Sequence, residues 1–559
     1  MHMAFSSHGL AANLEARCWN KLGMTETLFQ DTDNEEQQNE SVALRKKTAM
    51  STGDQFCTFQ AYKASPDYEE VTFLSNGGVL NDLPLDIVSP PKSQQNEGKS
   101  YDFFPSASLE ILRNNYTSKM SKPGGKSLHC LGAQNSPSPS PLSTNDIIEL
   151  AAINFIKSNT NTRDELSALS HPYASAFVGI TSEHVANLQL LQDLLSSAEK
   201  VSNQQYVAAG KLLSLCHNFN FSQSNVIRRL VYYFSEALLD KIARETGRFN
   251  EEIKTREMNP MASASGLAAF HQKVPPVQVA QFAGVQELIG HVSSSKKVHI
   301  IDLDMRCGLH HVILMQALAS KNESPLKHYK ITAVVLSSGL MLAEDAGVNL
   351  RTLANSLNLS FSFHLIKLDD MLNLQKRRDS DEKTVVYASN ALKFMIVRPN
   401  QLESLMRLIK NVNPCVMIVC EPEGNVNSPV FVNRFVEALF YYGAYFDCVE
   451  DCLKNVAVER EFVESNLFGP SLRTTVGAEG EERRSRIVGI DVWRAFFTKL
   501  GMMEKELSSL ALDHARLSLK MFDCGDSCTL ELNGKSLIVH WKGTALCSLS
   551  AWRFHKYRV

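Results

Sequence analysis

Apolar positions recur at helical spacing in two stretches of the chain, and at strand spacing or continuously in several others. Over 185–201, Leu188, Leu191, Leu195 and Ala198 fall on one helical face. Over 226–242, Val226, Leu230, Phe234 and Leu238 repeat that arrangement. Two amphipathic helices with an apolar surface to cover are expected. From Lys297 onward the period changes. VHIID at 298–302, KITAVVL at 330–336, SFSFHLI at 360–366, TVVYAS at 384–389 and CVMIVCE at 415–421 read as strands, alternating with helical stretches such as 401–412 and 430–442. That alternation predicts a parallel sheet covered on both faces. The stretch 529–554 departs from it, because Asn533-Gly534 and the Lys542-Gly543 region separate three short strand-like runs. Adjacent antiparallel strands joined by tight turns are expected there. The fold class is therefore α/β, a Rossmann-like, methyltransferase-type core of mostly parallel strands with a C-terminal antiparallel hairpin, behind an N-terminal helical cap.

Composition divides the chain once. From about Gln30 to Ser143 it is rich in Ser, Asn, Gln and Pro, ends in NSPSPSPLS and sustains no long apolar period, so burial cannot offset the entropy of ordering it. Residues 1–143 are expected to be a largely disordered region, with 144–295 as the helical cap and 296–559 as the core. A patch such as 101–114 could fold on a partner or serve as linker. The 559 residues are 44% hydrophobic and carry a formal net charge of -3, enough to bury a large core but without a bulk basic field for gripping DNA through its phosphates. Twelve cysteines without a C-x-x-C pair, and no signal segment at the N-terminus, point to a reducing intracellular compartment. No window approaches the length of apolar chain that a membrane span needs, so a soluble protein is expected.

The run from Lys297 to Ser320 opens as nucleotide-holding chains do: strand, turn, helix. Its turn, Asp302-Leu-Asp304-Met-Arg306-Cys307-Gly308, offers one glycine and two carboxylates. A pyrophosphate site needs several glycines for close backbone approach and would be repelled by the acids. A methyltransferase tolerates acid there but needs a carboxylate ending the second strand, where this chain has Ser337-Ser338-Gly339, with Glu344 only on the next helix. No cofactor is expected. Asp302 and Asp304 read instead as caps of the helix beginning near Leu309. His310 and His311, adjacent on that helix, are expected to point to different sides, as surface or packing residues, without chelating one metal. Cys448 with Cys452, and Cys524 with Cys528, read as buried free thiols. No catalytic nucleophile, P-loop or metalloprotease motif is present. Leu191-Gln-Asp-Leu194-Leu195 has the L-x-x-L-L form that seats leucines in a partner's groove, although the same leucines would serve this chain's own core.

The residues at this point resemble a family. Val298, His299, Ile300, Ile301 and Asp302 spell the VHIID signature of the plant GRAS transcriptional regulators, a group that includes SCARECROW-like and DELLA proteins. Ser550, Ala551 and Trp552 resemble its SAW element. Between them, Pro429, Phe440 with Tyr441, and Arg460 with Glu461 resemble the parts of its PFYRE region, and the leucine-rich stretches 185–242 and 348–366 resemble its two leucine heptad regions. Order and spacing match from residue 144 onward.

The resemblance implies a nuclear regulator, with the cytoplasm also open, acting mainly through contacts with other GRAS proteins and DNA-binding transcription factors in developmental, hormone or symbiotic signalling. It implies homo- or hetero-oligomers, DNA contact that is indirect or weak, and no enzyme activity. Leu188, Leu191, Leu194, Leu195, Leu230 and Phe234 are the candidate protein-binding residues. Two departures matter. Where the family commonly has Gln-Gly-x-Gln-Trp, this chain has Cys307-Gly308-Leu309-His310-His311, and the gibberellin-linked DELLA motifs are missing, Asp164-Glu165-Leu166-Ser167-Ala168 being an accidental near miss. The basic runs Arg45-Lys46-Lys47, Lys376-Arg377-Arg378 and Arg483-Arg484 with Arg486 are as consistent with solvated faces as with an import signal. Two alternatives stand beside the regulator: a small-molecule methyltransferase, which would bind S-adenosylmethionine, and a sequence-specific DNA binder, which would give a salt-sensitive shift with a defined site.

Overall fold

The computed structural model describes residues 143–159, 182–217, 225–249, 264–320, 326–335, 340–367 and 381–555. The expectations for residues 1–142, for Asp164–Ala168 and for the second-strand terminus at Ser337–Gly339 lie outside the described residues.

Among the described residues six helices precede the first strand: α1 (Thr144–Asn159), α2 (Ser182–Ser202), α3 (Tyr206–Cys216), α4 (Val226–Glu245), α5 (Ala264–Lys273) and α6 (Pro275–Val292). Then follow β1 (Lys297–Leu303), α7 (Leu309–Ala319), β2 (His328–Val335), α8 (Leu340–Ser356), β3 (Ser360–Lys367), β4 (Glu382–Ser389), α9 (Pro399–Val412) and β5 (Met417–Pro422). After β5 come α10 (Phe431–Leu453), α11 (Ala457–Val463), a wide-turned π-helical stretch to Gly477, α12 (Ile490–Lys499), β6 (Met502–Lys505), α13 (Ser509–Leu519), β7 (Cys528–Asn533), β8 (Ser536–Trp541) and β9 (Thr544–Phe554).

One nine-stranded sheet runs β3-β2-β1-β4-β5-β9-β8-β7, with β6 also paired to β9. The first five strands are parallel, and β1 is their centre, flanked by β2 and β4 along its whole length. That position explains why VHIID reads as an unbroken apolar run: Val298, Ile300 and Ile301 are wholly buried between helical layers. β9 is not an appended edge strand. It lies antiparallel between β5 and β8, pairing Trp552 with Met417, Ala551 with Ile418 and Ser550 with Val419. Trp552 therefore sits in the core, its ring 4.8 Å from that of Phe497, beside Trp493 and Phe496 of α12. Its indole nitrogen donates to Ser550 Oγ at 2.8 Å.

The cap shares this interior. Arg229 of α4 is buried and donates through Nε to both Glu464 oxygens at 3.1 and 3.0 Å. Arg473 binds Glu236 at 2.7 Å and also Asp240, and Lys241 meets Glu479 at 2.6 Å. Gly477 lets α4 and the π-helical stretch approach, since a Cβ there would stand 2.9 Å from the Ala237 carbonyl oxygen.

Candidate functional site

Leu188, Leu191, Leu194 and Leu195 on α2, and Leu230 and Phe234 on α4, all face inward, at 8, 0, 0, 5, 0 and 0% exposure respectively. The expectation that they form a contact surface is corrected by this burial. α2 is enclosed by α1, α3 and α4, so its apolar stripe is spent inside this chain. The large apolar residues left outside on these helices are Val185, Val207, Leu215 and Leu239, at 58, 78, 55 and 36%.

The polar groups concentrate instead at the C-terminal end of β1. The chain leaves the strand through Asp304 in a left-handed conformation (φ 62°), whose N–H donates to the Val334 carbonyl at 2.7 Å. Gly308 (φ 65°) then starts α7 as its N-cap. Neither aspartate caps that helix. Asp304 accepts from Arg306 Nε and Nη2 at 3.2 and 3.1 Å. Asp302 is 2% exposed, and its Oδ2 lies 2.7 Å from His310 Nε2 and 2.9 Å from His311 Nε2. The two histidines thus converge, against the expectation from their adjacency. Side chains in a helix lean toward its N-terminus, and with no preceding turn to cover, both first-turn rings lean back onto the strand end.

The surroundings fix these rings. His311 Nδ1 stands 2.9 Å from the Tyr329 hydroxyl, and His310 packs on Tyr387 with centroids 4.7 Å apart. Burial pushes His311 down to about 4. Burial also pushes Asp302 up, but His310 and His311 outweigh it and hold the carboxyl below its usual range. Nearby, burial drives His271 down to about 3, with Arg306, His310 and Lys393 adding to the effect. Burial raises Glu421, whose oxygens accept the Leu392 and Lys393 N–H groups at 2.8 and 3.2 Å, and lowers Lys393.

The turn leaves little room for a phosphate group. The turn's one glycine is used by packing, because a Cβ on Gly308 would stand 3.0 Å from Met305 Cε and 3.3 Å from Ala346 Cβ of α8. Both acids of the turn are engaged by side chains of the same turn and helix, and Glu344 is exposed on α8.

The other motif residues are mostly structural. His299 Nε2 lies 2.8 Å from Thr332 Oγ1 within the sheet. Pro429 is exposed just before α10, Phe440 is half-buried, and Tyr441 is buried edge-on to Tyr445. Arg460 donates to Glu450 at 3.2 Å, and Glu461 is exposed. Cys448 and Cys528 are buried, but Cys452 and Cys524 are only half-buried. Cys448 hydrogen-bonds to Cys452 within its sequence pair, and a second contact joins the two pairs: Cys452 and Cys524 stand with their sulfurs 2.7 Å apart.

The profile of the GRAS domain family matches residues 190–553. The Arabidopsis thaliana DELLA proteins RGL1 and RGL3 are each 28% identical, over 68% and 71% of this chain and 72% and 75% of theirs. The crystal structure of SCL7 from Oryza sativa superposes with a TM-score of 0.55 at 25% identity, covering 65% of this chain and 99% of that one.

Proposed function

The chain belongs to the GRAS domain family, and from that premise we propose that it regulates transcription in the nucleus through protein–protein contacts rather than by catalysis, with other GRAS proteins and DNA-binding transcription factors as partners. The observation that carries this reading is the engaged turn after β1. On a nucleotide-type scaffold, its acids are bound to Arg306, His310 and His311 and its glycine is held by Met305 and Ala346. A scaffold whose cofactor turn is occupied by its own side chains is suited to present surfaces. The net charge of -3 favours DNA contact through partners, and no helix among the described residues is long and apolar enough to cross a membrane.

Because the α2 leucines are enclosed, the contact we propose for another GRAS chain uses the outward face of the cap, with Val207 and Leu215 of α3 as its apolar points. Co-purification from co-expressing cells tests it. Val207→Asp with Leu215→Asp should leave the melting temperature near wild type and reduce recovery of a GRAS partner about tenfold or more, in line with the loss of two apolar contacts. Leu191→Asp should instead collapse the melt, because it buries a charge. Full partner recovery by the double variant would move the interface elsewhere.

A further inference from the structure

We propose that Asp302, His310 and His311 form a binding site for a divalent first-row transition-metal ion of the zinc class, with one carboxylate oxygen and the two Nε2 atoms as ligands. Their ligand atoms all lie within 4.8 Å of one another. Asp302 Oδ2 lies 2.7 and 2.9 Å from the two nitrogens, hydrogen-bond distances that need open by only about half an ångström to reach the roughly 3.4 Å between tetrahedral ligands each about 2.1 Å from one zinc ion. Two imidazoles and a carboxylate suit such an ion, and three protein ligands leave a coordination position open.

Three further features favour a cation over a plain hydrogen-bonded cluster. Asp302 is a buried carboxylate that no lysine or arginine among the described residues pairs with, since Arg306 is turned to Asp304. A buried charge without a full counter-charge is costly, and a dication would supply one. His311 is oriented from behind by the Tyr329 hydroxyl on its Nδ1, the outer contact that metal-ligating histidines characteristically have. His310 keeps 15% of its side chain exposed, which gives an ion a way in.

The test uses the full-length protein without a polyhistidine tag, stripped with chelator and titrated with Co²⁺ and then Zn²⁺. We expect one saturable site, a cobalt spectrum of nitrogen and oxygen ligands without a thiolate charge-transfer band, and displacement by Zn²⁺. His310→Gln, at a position where 15% of the side chain is exposed, should keep the metal-free melting curve and bind Zn²⁺ at least about 100-fold more weakly, since even outer-shell losses cost 10–100-fold. Tyr329→Phe, which leaves all three ligands in place, should weaken binding about tenfold. Equal binding by folded His310→Gln overturns the proposal. If that variant does not fold, the wild-type spectrum decides: a thiolate band would place the ion on the cysteines, and no saturable binding would leave a hydrogen-bonded triad.

Discussion

Glu423 accepts the Ile490 N–H through both oxygens at 3.0 Å and so holds the start of α12. Burial pushes its carboxyl up to about 7 from 4.5. A carboxyl raised on folding contributes stability that is present below the unfolded value and is lost as pH rises through the folded one. The wild type should therefore lose stability between about pH 4.5 and pH 7, by about 2 to 3 kcal/mol from this group. Glu423→Gln, which keeps the acceptor and cannot ionise, should flatten that slope. Melting temperatures of both proteins across this range check it, and parallel curves would show that Glu423 ionises freely in the fold. At this scale the sequence was legible where a residue's role follows from apolarity, as at Ile300 or Trp552. It was not legible where polar side chains converge. His310 and His311 looked divergent because adjacency fixes direction only in mid-helix, and the partner of Cys452 could not be read from spacing because Cys524 comes from another element.

Among the elements, α4 depends on a close approach and on charge. Gly477 packs against the backbone of Ala237, and Arg473 and Glu479 bind Glu236, Asp240 and Lys241 around it. A methyl on Gly477 would press on a carbonyl oxygen that cannot rotate away. Gly477→Ala should destabilise the protein by about 1 to 3 kcal/mol, the usual range for overpacking, despite the entropic gain of replacing glycine. Urea unfolding measures this, and an unchanged midpoint would mean that α4 slides without cost. Elements with clear periodicity were readable: β1 to β5, α2, α4, and the turns at Asn533-Gly534 and Lys542-Gly543. β6 was not, because Met502–Lys505 is too short to display an alternation. The segment from Glu464 to Gly477, two π-helical turns around the α-helical Gly469–Leu472, follows no single period that an α or β template detects.

For the whole molecule, the place of β9 decides what can be removed. A chain ending before Ser536 lacks β8 and β9, leaves β5 with a bare edge, deprives β6 of its partner and strips Trp552 from the α12 cluster. It should be recovered as insoluble protein, because unpaired strand edges and exposed apolar surface both promote aggregation. A soluble, cooperatively melting product would make the last strands dispensable. The sequence indicated these strands but not their position, because local pattern reveals which residues form a strand and not which distant strand lies beside it.

That placement also sets the order in which the molecule can be made. The strand that joins the parallel and antiparallel parts of the sheet is the last of its strands to be synthesised, whereas β5, its neighbour, is finished more than a hundred residues earlier. At about 5 to 20 residues per second, β5 waits on the order of ten seconds on the ribosome with its pairing groups open. The nascent GRAS core is thus a half-sheet for much of its birth, and the segment that closes it is the last of the sheet to emerge.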